Sequence, residues 1–200
     1  LPWDIDPWTA VKTGKDVGIC GNCEHRRSIN PEVPCYIDWW RAPLMIWRAV
    51  KDDRYDRWNF QLTHERFYEK SIRFGAGGDP AALPIPFYED FMYMAGVQHR
   101  KWTGYTSQWR NPEFQWFRHL FQASVSTEED AQIARSMGWN TYRTRKPGES
   151  LMSGEESCPG SKEANHLLQC IECCKCRGTG DLPGLTPRKH TGFNISIINH

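Results

Sequence analysis

Eight cysteines gathered into two knots constrain this chain more than any other feature. Cys20, Cys23 and Cys35 fall in one N-terminal segment, and Cys158, Cys170, Cys173, Cys174 and Cys176 in another near the C-terminus. The long stretch between them holds none. Disulfides in small secreted proteins staple folds whose cores are too small to hold themselves. Here the cysteine-free middle carries long apolar and aromatic segments that suffice for a core, and the adjacent pair Cys173-Cys174 fits poorly into a disulfide framework. In a secreted chain Asn194-Ile195-Ser196 would be a glycosylation sequon, so a disulfide protein remains the alternative. Clustered thiols in a reducing compartment point instead to metal.

In the C-terminal knot, Cys158 is followed by Cys170-x-x-Cys173-x-x-Cys176, with Cys174 to spare. Two cysteines separated by two residues bend round one ion or one cluster corner, so this spacing recurs in zinc and iron–sulfur sites alike. Three at successive three-residue steps match the run that binds cubane clusters, with Cys158 as remote fourth ligand. A closed zinc site is the other reading. The N-terminal knot, Cys20-Gly21-Asn22-Cys23 and then Cys35-Tyr36, offers three thiolates and no fourth cysteine. That is the donor set of a [4Fe–4S] cluster with one open iron. Its alternatives are a zinc ion completed by His25, or a simple pair with Cys35 buried as a small hydrophobe.

Between the knots the pattern turns regular. Residues 43–50 carry Leu44, Ile46, Trp47 and Val50 near a 3.6-residue period and predict a helix, and a second helix is expected around 60–68. Strands are expected at 71–74, 101–105, 121–125 and 140–144, alternating with helices at 86–95, 111–120 and 127–137. Asn111-Pro112 supplies an N-cap with proline at the first helical position, Ser126 to Glu129 reads as a capping box, and Gly138 closes the last helix. Short strand–helix units with tight links build parallel sheets by right-handed crossovers. The units are too few for an eightfold barrel. The expected fold is therefore α/β, a partial or degenerate (βα) barrel over 1–146. An irregular Cys-rich metal-binding segment and a final strand at 193–198 follow over 147–200.

In such folds the chemistry sits at the C-terminal ends of the strands. Gly77-Gly78-Asp79-Pro80 falls there, where glycines let the backbone approach a ligand and a carboxylate can grip a charged group, so Gly77, Gly78 and Asp79 are candidate cofactor contacts. The same motif is also an ordinary turn. Tyr105, Gln108, Ser124 and Arg143 lie at the same edge and are candidate substrate contacts.

Charge is nearly balanced, 25 basic residues against 24 acidic, so no strong field draws the chain to nucleic acid or a membrane surface. No apolar run reaches the length of a membrane span, and Leu1-Pro2-Trp3-Asp4 lacks signal-peptide character. Trp39, Trp40, Trp47, Trp102, Trp109 and Trp116 lie among basic residues, an arrangement that suits base stacking. Core packing is the default for Trp47 and Trp116, which fall on helices beside other apolar residues. Arg26-Arg27 and Arg143 to Lys146 are too short as charge runs to define a phosphate-binding surface. The sequence contains no paired-histidine zinc motif, nucleophile elbow, Walker loop or dinucleotide fingerprint.

Taken in order, the Cys20/Cys23/Cys35 loop, a helix, a strand ending in Gly77-Gly78-Asp79-Pro80 and further βα units resemble radical S-adenosylmethionine enzymes. The resemblance implies a partial (βα) barrel, an open-iron [4Fe–4S] cluster on the three cysteines, and contact between the glycine motif and the methionine amino group. It implies one-electron cleavage of S-adenosylmethionine to a radical that abstracts hydrogen from a small-molecule or nucleotide substrate. The C-terminal cysteines resemble the auxiliary clusters of some members. The family's usual CxxxCxxC is replaced here by CxxC with eleven residues before Cys35, and Asp79 stands for the usual glutamate. The chain also resembles bacteriophage proteins that share the Cys-Tyr loop, the Gly-Asp-Pro turn, a Trp-Thr-Gly-Tyr-Thr strand and a Cys-rich tail, which implies the cytoplasm of a bacterial host. The competing expectation is a zinc-stabilised phage protein that binds nucleic acid or a host protein.

Overall fold

The computed structural model describes residues 4–32, 35–57, 59, 65, 70–98, 101–165, 168–180 and 193–198. Before the first cysteines stand two short helices, α1 (Pro7–Lys12) and α2 (Val17–Cys20). Asp6 caps α1 by accepting from the Thr9 amide at 2.9 Å. Helices this brief show no period in sequence, which is why none is legible there. Helix α3 (Ala42–Lys51) covers the span expected, but none of its residues is buried. Of the helix expected around 60–68 only Glu65 is among the described residues, and it is helical.

From residue 72 the chain alternates as its sequence implies. It runs β1 (Ile72–Arg73), a 3-10 turn at Pro80–Ala82, α4 (Ile85–Gln98), β2 (Trp102–Thr103), β3 (Tyr105–Thr106), a 3-10 helix at Pro112–His119 and β4 (Gln122–Val125). Then follow α5 (Glu128–Ser136), β5 (Thr141–Arg145), β6 (Glu155–Ser157), α6 (Cys170–Cys173) and β7 (Asn194–Ile198). The strands form one sheet of order β1-β2 and another of order β3-β4-β5-β7-β6. Every pairing is parallel. The molecule is thus a mixed α/β protein with parallel sheets. Strands β6 and β7, from the Cys-rich segment, extend the sheet that β3 begins.

Three local differences from the sequence reading have physical causes. The strand expected over 101–105 is broken at Gly104. A side chain there would meet the Phe121 ring at 2.7 Å, and the Gly104 N–H leaves the ladder to donate to the Cys176 carbonyl at 2.8 Å. The helix expected over 111–120 is a 3-10 helix, capped by Asn111 as anticipated. Its three-residue repeat aligns Phe114, Phe117 and Leu120 on one side, where Phe117 and Leu120 are fully buried. The cap of α5 is Thr127 rather than Ser126. Thr127 accepts from the Asp130 amide at 3.1 Å, while the Ser126 hydroxyl donates to Glu24 in the first cysteine loop.

The main core is aromatic, with Phe74, Tyr88, Phe91, Phe117 and Phe121 meeting mostly edge to face. Trp102, Trp109 and Trp139 are buried there, and each indole N–H finds an oxygen: Leu120, Ser124 and the Gln115 side chain. Trp39 is buried in a second, smaller cluster, and Trp116 packs against the main one. Of the tryptophans suited to base stacking, only Trp40 is half exposed, with Trp47 partly covered. Of the basic runs, Arg26, Arg143 and Arg145 are buried, while Arg27 and Lys146 are exposed. No helix among the described residues is long and apolar enough to cross a membrane.

Candidate functional site

The C-terminal ends of the strands open on a cavity of about 380 Å³, within the range of small-ligand pockets. Cys20, Cys23 and Cys35 line it on one side, with Gly78 and Asp79 beside them. The cysteine loop is built to stay there. Val11, Ile19, Cys20 and Trp39 form its own small core. Buried Arg26 donates to the Asp16 carboxylate from Nε at 3.0 Å and Nη2 at 2.7 Å, and to the Gly14 carbonyl at 3.0 Å, bracing the turn after α2. The Cys35 amide donates to the His25 carbonyl at 2.7 Å, which folds the long spacer back and returns Cys35 to the other two. The glycine turn docks from below. The Asp79 amide donates to the Ile19 carbonyl at 2.7 Å, and Gly78 adopts φ +106° so close to Ile19 that no side chain fits.

The thiols stand in a setting that suits metal-bound sulfur. Burial, then the charge of Asp16 and the neighbouring thiols, pushes Cys20 up to about 12. Cys23 and Cys35 are also raised, chiefly by burial. Donors oppose the shift: the His25 amide and Ser107 hydroxyl at Cys23, and the Ile37 amide and Trp39 indole at Cys35. Such hydrogen bonds stabilise a thiolate and tune the potential of a cluster it holds. Because these folded thiols keep their protons at neutral pH, any metal bound there would have to release them, and its affinity would fall as pH falls.

Asp79 is buried, and its carboxylate has protein partners of its own. Oδ1 accepts from the Thr106 hydroxyl at 2.7 Å and the Ala81 amide at 2.9 Å, and Oδ2 from the Ser107 amide at 2.7 Å. Burial raises its pKa in spite of them. It ties the glycine turn to the end of β3, and its charge stays within electrostatic reach of Cys23.

The second knot forms beside this cavity. Cys158, Cys170, Cys173 and Cys176 line a water-sized void of about 20 Å³ together with Thr103 and Ile195. The Cys158 amide donates to Ser196 of β7 at 2.8 Å, and Cys176 is held at the Gly104 break. The Gln122 side chain reaches the carbonyls of Lys175 and Phe193. Burial and then the charges of the other three thiols raise Cys176 strongly, and Cys158 is raised chiefly by burial. Cys174 is buried, in a left-handed conformation, as the C-cap of α6. All eight cysteines are free thiols. Among the described residues no group of three or more His, Cys, Asp or Glu side chains is placed to hold a single metal ion. The thiols share two walls without converging on one point.

No family model, curated protein or solved structure matches this chain.

Of the residues singled out from sequence, Tyr105 and Ser124 line the cavity with the three N-terminal cysteines, Gly78 and Asp79. Gly77 does not. It is exposed and lies beside Pro43. Gln108 is buried, its side-chain amide packed on the Gly21 backbone, so it supports the cysteine loop from beneath instead of facing a substrate. Arg143 points away from the cavity altogether. Its guanidinium pairs with Glu155 through two contacts of 2.8 Å and also meets Glu149. Its neighbours Tyr142 and Thr144 take the cavity wall, because side chains alternate along β5. Thr-Tyr-Arg-Thr-Arg carries polar groups on both faces, so its sequence gives no phase. Tyr36, Arg73 and Trp39, also on the wall, were missed. Tyr36 adjoins a ligand candidate, the signal that singles it out in retrospect.

Proposed function

We propose that this chain is an iron–sulfur enzyme of the radical S-adenosylmethionine type, built on a partial (βα) barrel and working in the cytoplasm of a bacterial host. One observation carries the reading: Cys20, Cys23 and Cys35 meet the Gly78-Asp79 turn around a single ligand-sized cavity at the C-terminal ends of parallel strands. Separate elements supply these parts, and the Asp79–Ile19 hydrogen bond fastens them together. The donor set fits a [4Fe–4S] cluster, in which each thiolate binds its own iron. Buried Cys20 and half-buried Cys23 and Cys35, the latter two receiving amide, hydroxyl and indole donors, share a wall and therefore need not converge on one point.

When bound, such a cluster with one open iron supplies the electron that cleaves the sulfonium of S-adenosylmethionine. The chain's own residues do the rest. Cys20, Cys23 and Cys35 would hold the cluster. The glycine turn offers backbone to an amino-acid moiety, with the Asp79 charge nearby to favour an ammonium. Ile37, Trp39 and Ile197 wall the cavity and restrict water. Cys158, Cys170, Cys173 and Cys176 form the ligand set of a second centre. For that centre alone a single zinc ion is a second reading, and it would require the four thiols around the water-sized void to draw together on one point.

The test is electron paramagnetic resonance of the reduced protein, prepared without oxygen. A cubane signal that changes shape when S-adenosylmethionine is added, and that is lost in C20A/C23A/C35A, is the expected result. A cluster signal indifferent to S-adenosylmethionine would remove the enzyme reading and leave only the cluster.

A further inference from the structure

Arg73, the last residue of β1, also lines the cavity. Its Nη2 donates to the Tyr105 phenol at 2.9 Å and to the Tyr36 phenol at 3.3 Å, and the two hydroxyls stand 3.4 Å apart. Buried Arg26 and Arg143 each meet a carboxylate at close range. Arg73, exposed where those two are buried, meets none among the described residues. A guanidinium has five N–H donors, and among the described residues only Nη2 is engaged with protein groups. The phenols do not neutralise it: burial raises the pKa of Tyr105 and of Tyr142, stacked on it at 4.4 Å, so both stay uncharged at neutral pH. The thiols of Cys170 and Cys176 lie within electrostatic reach, and burial raises Cys176 so strongly that it keeps its proton at neutral pH. Around this cation the wall is apolar and aromatic, with Ile37, Tyr142 and Ile197.

A planar cation that lines an apolar cavity and has no carboxylate partner among the described residues is placed to engage an oxyanion by paired, charge-assisted hydrogen bonds. We propose that Arg73, with the hydroxyls of Tyr36 and Tyr105, is an oxyanion subsite. It takes the phosphate or carboxylate of a small ligand whose flat apolar body occupies the same cavity. The assignment deepens the reading of that cavity as the ligand site and does not depend on which metal the cysteines hold. Because Tyr36 follows Cys35 directly, an anion held there lies beside the N-terminal centre, as a substrate must.

The test is calorimetric titration of the full chain, as isolated, with phenyl phosphate, benzoate and, as neutral control, phenol. At least one anion is expected to bind about tenfold more tightly than phenol, which a single charge-assisted hydrogen bond suffices to provide. Whichever binds better identifies the group recognised. Arg73→Gln should remove the tenfold advantage, and Tyr36→Phe, at a residue 72% exposed and thus indifferent to folding, should reduce it about threefold. Phenol binding as tightly as both anions, or an unchanged advantage in Arg73→Gln, would overturn the proposal. So would an Arg73→Gln variant altered only at its C-terminal centre, since Arg73 would then merely balance thiolate charge. Iron measured in the same samples separates failure of this subsite from failure of the iron–sulfur reading.

Discussion

Replacing Arg143 by methionine is expected to destabilise the fold by about 3–5 kcal/mol, the usual cost of leaving one member of a buried ion pair alone. Arg143 and Glu155 both have fully buried side chains, and two contacts of 2.8 Å join β5 to β6 across the intervening β7. Without the arginine, Glu155 keeps the Met152 amide and the Arg135 guanidinium at 3.3 Å, which soften the loss without removing it. Chemical denaturation reads the effect, and the double variant R143M/E155L should recover much of it because no charge is then stranded. The pair also sets an acid limit. Burial works against Glu155, yet the Arg143 hydrogen bonds, the Met152 amide and the nearby arginine charges outweigh it and hold the carboxyl below its ordinary value of 4.5. A lowered carboxylate pKa contributes stability above the ordinary value, and that contribution disappears as pH falls through the folded one. The wild type should therefore lose stability below about pH 4.5, and R143M should show less of this acid dependence. Equal acid dependence in both proteins would show that the pair contributes little.

The second large effect belongs to Gly78. An added Cβ would stand 2.6 Å from Ile19 Cγ2 and 2.8 Å from the Ile19 carbonyl, and the residue sits at φ +106°. Left-handed backbone costs an L-residue about 1–2 kcal/mol, and overpacking a tight contact costs about 1–3 kcal/mol more. Gly78→Ala should thus lose on the order of 2–5 kcal/mol by these two penalties. The damage falls where the glycine turn docks on the residue before Cys20, so metal should be lost from the N-terminal centre and kept at the C-terminal one. Gly77→Ala is the control. Gly77 is exposed, has no positive φ, and would bring its Cβ no nearer than 3.9 Å to Pro43. Equal losses in the two variants would contradict the docking role given to Gly78.

Much of the architecture is legible because local chemistry and global fold agree. Asn111-Pro112 caps where it should, Gly138 ends α5, and the alternating strand and helix spans pair in parallel. Errors arise where tertiary contacts decide. Gly104 breaks a strand because Phe121 presses on it and the Cys176 carbonyl competes for its N–H. Thr127 displaces Ser126 as cap because Ser126 is drawn to Glu24, distant in sequence. The cysteines announce themselves by spacing, since a proposed ligand set gathered within short segments leaves a local trace. Arg73 and Tyr142 leave none. Arg73 lies in a strand of two residues, and Tyr142 alternates with an arginine as polar as a substrate contact would be, so only the sheet reveals which of the pair faces the cavity.

The most direct measurement is iron, acid-labile sulfide and zinc per chain, determined on protein purified without oxygen, for the wild type beside C20A/C23A/C35A. The expected result is a brown wild type with iron and sulfide in equal amounts and broad absorbance near roughly 400 nm. The triple variant should carry about four fewer of each, one cubane's worth. A colourless wild type holding zinc without iron or sulfide, or a triple variant that keeps its full iron, would contradict the assignment of an open cluster to Cys20, Cys23 and Cys35.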